Sequence, residues 1–439
     1  MRTPLLTLPF FKTIRKYNHF NWALIDQAMV SGVNFLTGIL FARFLGIEEF
    51  GRFTLVWMVV LFVNSVQMAI ISTPMMSIAP KQRKKDLPAY YGAVTVQQIS
   101  FATLSSIIVW GGVKISDLYY PDWAIGHLAL PLASVVFSFQ NQDFLRRLFY
   151  TYGKHSFAFF NDMISYLGQL FLIILIYKFY YLNISVVLWI ISATSLLAVF
   201  MGYIMVHGHI KFCMNFGDIL TRHWRSSKWM LASVLLQWLT GNLFYIFTGT
   251  ILGTAAVGAL KAAQNILSLS NLFLVALDNV VPVRSSMQLF KTGQTAMLNY
   301  LKKVLLFTSI PVITISLIGL LWPVYCLKIF YGDQFLGYGY VVQWYAVISL
   351  LFLLSFPLRT ALRSLEYILP IFFADVAKVV FTLLFAKKLI VSFKLTGVMI
   401  GLFTTHIISF SILTILLIFY SKKLRANSKR INDDQKRGL

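Results

Sequence analysis

Apolar runs of about twenty residues alternate with short polar breaks along nearly the whole chain. At about 1.5 Å of rise per residue, each run is long enough as a helix to cross a hydrocarbon layer of about 30 Å. The pattern predicts spans at 21–42, 53–79, 89–113, 124–143, 156–177, 184–207, 229–251, 258–283, 304–327, 338–358, 368–386 and 395–420. The expected fold class is an all-α polytopic membrane protein of about 12 transmembrane helices, since a spanning segment must satisfy its own backbone hydrogen bonds.

The pattern repeats. The connection "ARFLGIEEFGRF" at 42–53 has a thinner counterpart, "TILGTAAVGALK", 207 residues later. At that offset Trp22 falls on Trp229, Gly46 on Gly253, Gly51 on Gly258 and Asn64 on Asn271. Further on, "YPD" at 120–122 answers "YGD" at 331–333, and "FFND" at 159–162 answers "FFAD" at 372–375. Six spans are an even number, so both halves enter the membrane from the same side, as two parallel-repeat six-helix lobes. The expected organisation is a basic cytoplasmic leader at 1–20, an N-terminal lobe at 21–215, a C-terminal lobe at 216–420 and a basic cytoplasmic tail at 421–439. The paired glycines suit a sharp turn between the first two helices of each half. Arg43 and Arg52, flanking Glu48 and Glu49, either anchor that turn at the interface through weak ion pairs or act in gating, closing the outward side.

Polar residues inside spans are costly, so they face a partner or water. The eighth span, "ALKAAQNILSLSNLFLVALDNVV", places Gln264, Asn265, Ser268, Asn271, Asp278 and Asn279 within about 100° of Lys261 on a helical projection. Such a stripe lines either a water-filled cavity or a hydrogen-bonded helix interface. The substrate-binding candidates are Lys261, Gln264, Asn265 and Asn271, joined by Asn34, Asn64 and Gln67 from the first two spans. Thr54 occupies the position matching Lys261, so the lysine is not a by-product of duplication. Lys261 is a candidate phosphate-binding charge; the alternative is an ion pair with Asp26 that only locks the fold. Asp26 and Asp278 are candidates for binding a coupling proton or cation, against structural hydrogen bonding. Asp162 and Asp375 sit in matching places near helix starts, where the helix dipole favours a carboxylate, and Asp375 can pair with Lys378 at i+3.

Composition sharpens this picture. The chain of 439 residues is 58% hydrophobic and 12% charged, half the charged share of about 25% usual in soluble domains. The net charge of +23 suggests nucleic acid until its placement is considered. With both termini cytoplasmic, inside segments carry 28 Lys and Arg and outside connections 8, which follows the positive-inside rule and excludes a nucleic-acid reading. Lys387, Lys388 and Lys394 in one outside hairpin run against that rule. Lys81, Arg83, Lys84, Arg146 and Arg147 read as solvated topology signals that can also concentrate an anionic substrate. Cys213 and Cys326 alone make neither a disulfide framework nor a zinc site.

No G-x-x-x-x-G-K-[ST], H-E-x-x-H, G-x-S-x-G or D-x-D motif occurs, and "HGH" at 207–209 with His223, in a basic loop, follows no recognised metal-ligand spacing. No catalytic residue, metal or cofactor is expected; the reading is a transporter, not an enzyme.

The stretches "ALIDQAMVSGVNFLTGILFARFLGIEEFGRFTL" and "IFYGDQFLGYGYVVQWYAVISLLFLLSFPLRTAL" resemble Wzx-like polysaccharide-biosynthesis flippases of the multidrug/oligosaccharidyl-lipid/polysaccharide (MOP) superfamily. The resemblance implies two lobes around a V-shaped central cavity in the bacterial inner (cytoplasmic) membrane. It implies that undecaprenyl-pyrophosphate-linked oligosaccharide, such as an O-antigen or exopolysaccharide repeat unit, crosses from the cytoplasmic to the periplasmic face by alternating access, with Lys261 at the pyrophosphate. Membrane lipids and other polysaccharide-assembly proteins are the further partners it suggests. A cation-coupled multidrug exporter of the same superfamily is the alternative, and a membrane-embedded glycan polymerase or ligase a further one.

Overall fold

The computed structural model describes residues 18–119, 125–206, 210–211, 217–278, 281–367 and 369–437; within these, the side chains of 18–21, 23–24, 218–219, 226, 271–276, 278, 283 and 421–437 lie outside the description. The leader through residue 17, "YPD" at 120–122 and "HGH" at 207–209 are likewise outside it.

Helices follow the apolar runs in order: α1 (Asn18–Gln67), α2 (Thr73–Ile78), α3 (Leu87–Tyr119), α4 (Ala129–Thr151), α5 (His155–Asp162), α6 (Gly168–Phe179), α7 (Ile184–Val206), α8 (Gly217–Leu252), α9 (Thr254–Asp278), α10 (Val281–Thr292), α11 (Gln294–Leu321), α12 (Pro323–Tyr331), α13 (Gly339–Ser364) and α14 (Leu369–Arg437). Single π turns, Met68–Ser72 and Met163–Leu167, carry α1 into α2 and α5 into α6. Among the described residues, eight helical stretches are long and apolar enough to cross a membrane.

Two of the eight, Ile25–Lys81 and Leu369–Tyr420, are 57 and 52 residues long. Unbroken, each would exceed twice the hydrocarbon thickness of about 30 Å. Each is broken. Gly46 leaves the helical region at φ 80°, ψ 172°, and Lys394 does so at φ 50°, ψ −133°. A count of twelve crossings requires α4 and α9 as well.

Gly253, 207 residues after Gly46, also has a positive φ of 86° and separates α8 from α9. The paired glycines thus make the same turn in both halves, a conformation open to glycine at no steric cost. The second glycine pair serves a different need. A Cβ on Gly51 would overlap the Thr254 carbonyl oxygen, and one on Gly258 would overlap that of Ile47. Only hydrogen fits where these two helix starts cross.

The chain divides into two compact units, Met1–Leu45 with Val56–Leu235, and Gly46–Leu55 with Leu236–Leu439. In the first, α4 is central, packing on α3 and α7, and Phe144 and Leu148 join Ile71, Met75 and Val94 in the core. In the second, α13 takes the same role between α11 and α14, with Leu362 packed among Met297, Leu301 and Leu413. Large apolar side chains also point outward, among them Ile108, Phe200, Phe307 and Leu384. Water would penalise them; lipid does not.

His223 departs from expectation. It lies within helix α8, not in a loop, and is buried with its Nε2 2.9 Å from the Tyr90 hydroxyl. Burial pushes its imidazole down to about 4.

Candidate transport site and buried ion clusters

Helix α9 sorts its residues by period. Leu260, Ala262, Ala263, Ile266 and Leu267 are buried, while Lys261, Gln264, Asn265 and Ser268 are half-buried on the other side. Three of the substrate-site candidates, Lys261, Gln264 and Asn265, therefore share one helix face. Lys261 Nζ donates to Gln264 Oε1 at 3.0 Å, and none of the ion pairs among the described residues uses it. An ammonium has three donors, so this hydrogen bond leaves it capacity for an anion. The backbone of Asn271 and Asp278 continues the helix, but their side chains lie outside the described residues, as does all of Asn279.

The candidates on α1 have different surroundings. Asn34 is exposed, and Asn64 is half-buried with its Oδ1 unpaired. Gln67 is fully buried and donates to Ser72 Oγ at 3.0 Å and Gln98 Oε1 at 3.1 Å, a cross-link between α1 and α3. Arg43 is exposed; Arg52 pairs with Glu49 one turn earlier at 2.7 Å, each about a third exposed. Beside them, Gln334 Oε1 accepts the Ile47 N–H at 3.1 Å, satisfying a donor freed by the break at Gly46.

Asp26 is wholly buried, and its partner is Arg146, whose Nη2 lies 2.8 Å from Asp26 Oδ2. The Tyr150 hydroxyl donates to the same oxygen at 2.5 Å. Arg146 Nε lies 2.7 Å from Asp162 Oδ2, and Gln142 Nε2 donates to Asp162 Oδ1 at 2.7 Å. Arg146 is thus no solvated topology signal. It is 7% exposed, held between two carboxylates from α1 and α5. Two acids against one base leave one surplus negative charge, and Asp26 Oδ1 is buried without a partner.

The second unit carries the counterpart. Arg359 stands 213 residues after Arg146, as Asp375 does after Asp162. Arg359 Nη2 lies 3.3 Å from Asp375 Oδ1, and Lys378 Nζ reaches the same oxygen at 2.6 Å, the pairing expected from i,i+3 spacing. Here the third member is a base, so this cluster has a surplus positive charge. The Arg–Asp pair is a feature of the repeat, visible in the sequence once the offset of the "FFND" and "FFAD" segments is carried back to α4. Pairing compensates the large cost of desolvating each charge.

The family model described as "Polysaccharide biosynthesis protein" matches residues 40–339. No curated protein matches the chain. Among solved structures, an inward-facing multidrug resistance MATE family transporter of the MOP superfamily is similar at a TM-score of 0.71 and 12% identity, covering 90% of this chain and 95% of that one. The lipid II flippase MurJ, inward closed, gives 0.69 and 13%, covering 91% and 87%. A MOP superfamily transporter from Pyrococcus furiosus gives 0.58 and 11%, covering 91% and 93%. At such identities these likenesses speak for the fold. Together with the family match over residues 40–339, they show that the chain is a multi-pass membrane protein that has the fold of MOP superfamily transporters and belongs to the polysaccharide biosynthesis protein family.

Proposed function

We propose that the chain flips undecaprenyl-pyrophosphate-linked oligosaccharide across the inner membrane, from the cytoplasmic to the periplasmic face, by alternating access. The observation that carries this is Lys261, a half-buried cation on the polar face of α9 with Gln264 as its hydrogen-bond partner. In a site of low dielectric a lysine engages phosphate as a point charge. Gln264, Asn265 and Asn271 supply amide groups for sugar hydroxyls, with Asn34 and Asn64 as further contacts. Asp26 couples the cycle: the surplus charge it shares with Arg146 and Asp162 takes up a proton or a monovalent cation. Arg43 and Arg52 act in gating.

The multidrug reading needs an acidic group offered to a cationic cargo. Asp26 does not serve, since it is wholly buried and engaged by Arg146 and Tyr150. Mass spectrometry of polyprenyl-linked lipids from a strain lacking the gene, with an assay of which face presents the glycan, tests the proposal. A complete repeat unit accumulating on the cytoplasmic face is expected. Accumulation on the outer face would indicate a polymerase or ligase, and no accumulation would turn the assignment to the exporter.

A further inference from the structure

Helix α10 has two faces of different character. Val281, Ser285 and Leu289 point into the second unit, and the Ser364 hydroxyl donates to Ser285 Oγ at 2.9 Å. On the opposite side Met287 is 52% and Phe290 92% exposed, with Arg284 and Lys291 exposed alongside. An outward apolar edge flanked by cations is the pattern of a helix lying in a membrane interface. Between α10 and the end of α13 opens a pocket of about 600 Å³, lined by Pro282, Ser286, Met287, Phe290, Lys291, Arg363 and Ser364. Among the described residues its lining combines two cations, two hydroxyls and three apolar side chains.

We propose that this pocket seats the phosphate headgroup of an anionic phospholipid from the surrounding bilayer. Lys291 and Arg363 meet the phosphate, Ser286 adds a hydroxyl, and Met287 with Phe290 runs along the first methylenes of the acyl chain. Charge complementarity selects an anion, and the apolar wall selects an amphiphile over a free ion. The volume suits a lipid headgroup; a lipid-linked oligosaccharide is larger than a drug-sized site of this kind accepts. The site uses none of the residues assigned above to cargo or coupling, so it stands or falls independently of the cargo's identity.

The test uses the purified full-length chain, with native mass spectrometry and thermal unfolding in mixed micelles containing phosphatidylglycerol or phosphatidylcholine. Phosphatidylglycerol is expected to remain bound and raise the unfolding midpoint, and phosphatidylcholine is not. The double variant Lys291→Gln, Arg363→Gln is expected to weaken phosphatidylglycerol binding about 30-fold, with its midpoint in phosphatidylcholine unchanged. Equal response to the two lipids, or undiminished phosphatidylglycerol binding by the double variant, would overturn the proposal. So would a polyprenyl phosphate that displaces phosphatidylglycerol at lower concentration, which would make the pocket a loading site for cargo.

Discussion

Buried Arg146 and half-buried Lys261 allow holding the fold and the proposed contact with cargo to be tested separately. Arg146 lies between Asp26 and Asp162, so Arg146→Met strands two carboxylates in an apolar interior. Removing one partner of a buried ion cluster costs about 3–5 kcal/mol, read as a lower unfolding midpoint in detergent. Adding Asp26→Asn and Asp162→Asn should return much of that loss, since the stranded charges go with the arginine. Lys261→Ala should behave in the opposite way. Its one described partner is a neighbouring glutamine on a half-exposed face, so stability should hold. Loss of a charge-assisted contact to phosphate, about 1.5–3 kcal/mol, should lower glycan export by about 10- to 100-fold. Unchanged export with the variant well expressed would remove Lys261 from the site. Helical periodicity made Lys261 legible in the sequence, because one stripe on one helix needs only the 3.6-residue repeat. Arg146 was not legible by that means: its burial depends on carboxylates from two other helices, and locally it is indistinguishable from the neighbouring Arg147.

At the scale of elements, internal repetition carried the most information. Gly46 with Gly253, and Gly51 with Gly258, stand out against chance leucine matches because each pair has its own steric demand. A composition-based reading can place the turn, but the crossing at Gly51 requires knowing that Thr254 lies against it. Gly51→Ala forces the two helix starts apart and should destabilise the protein by about 1–3 kcal/mol. Gly258→Ala strikes the same crossing, so the double variant should cost less than the two single losses combined. Gly111→Ala is the control. It lies inside α3 with nothing within 4 Å of where the alanine methyl group would sit, and should be neutral or stabilising by up to about 1 kcal/mol. Unfolding midpoints of the four variants decide; a Gly51→Ala midpoint matching that of Gly111→Ala would mean the crossing tolerates a methyl group. The break at Lys394 was legible only as an anomaly of charge, since lysine does not advertise a positive φ as glycine does.

For the whole molecule, the proposed direction of transport rests on topology, and the expected topology rests on charge. With both termini cytoplasmic, as expected from the sequence, inside segments would carry 28 Lys and Arg against 8 outside, a bias large enough to dominate the contrary hairpin with Lys387, Lys388 and Lys394. The structure gives that hairpin a physical reason to be compact: the chain reverses at Lys394, and a Cβ on Gly397 would overlap the Leu389 carbonyl oxygen. In this tight reversal Lys387, Lys388 and Lys394 are all exposed. The expected arrangement is checked in a background with Cys213→Ser and Cys326→Ser. In it, Lys388→Cys should react with a membrane-impermeant maleimide in cells whose inner membrane is intact. Lys84→Cys, exposed in the short connection before α3, should react only after that membrane is opened. The reverse pattern would place the basic segments outside. Asp26, Arg146 and Asp162 would then lie toward the periplasmic surface, and the proposed direction of flipping would lose its electrostatic basis. Lys84 belongs to the first unit and Lys388 to the second, so the two positions test each lobe's orientation separately. A parallel repeat requires both to agree, because six crossings return the chain to the side from which it entered.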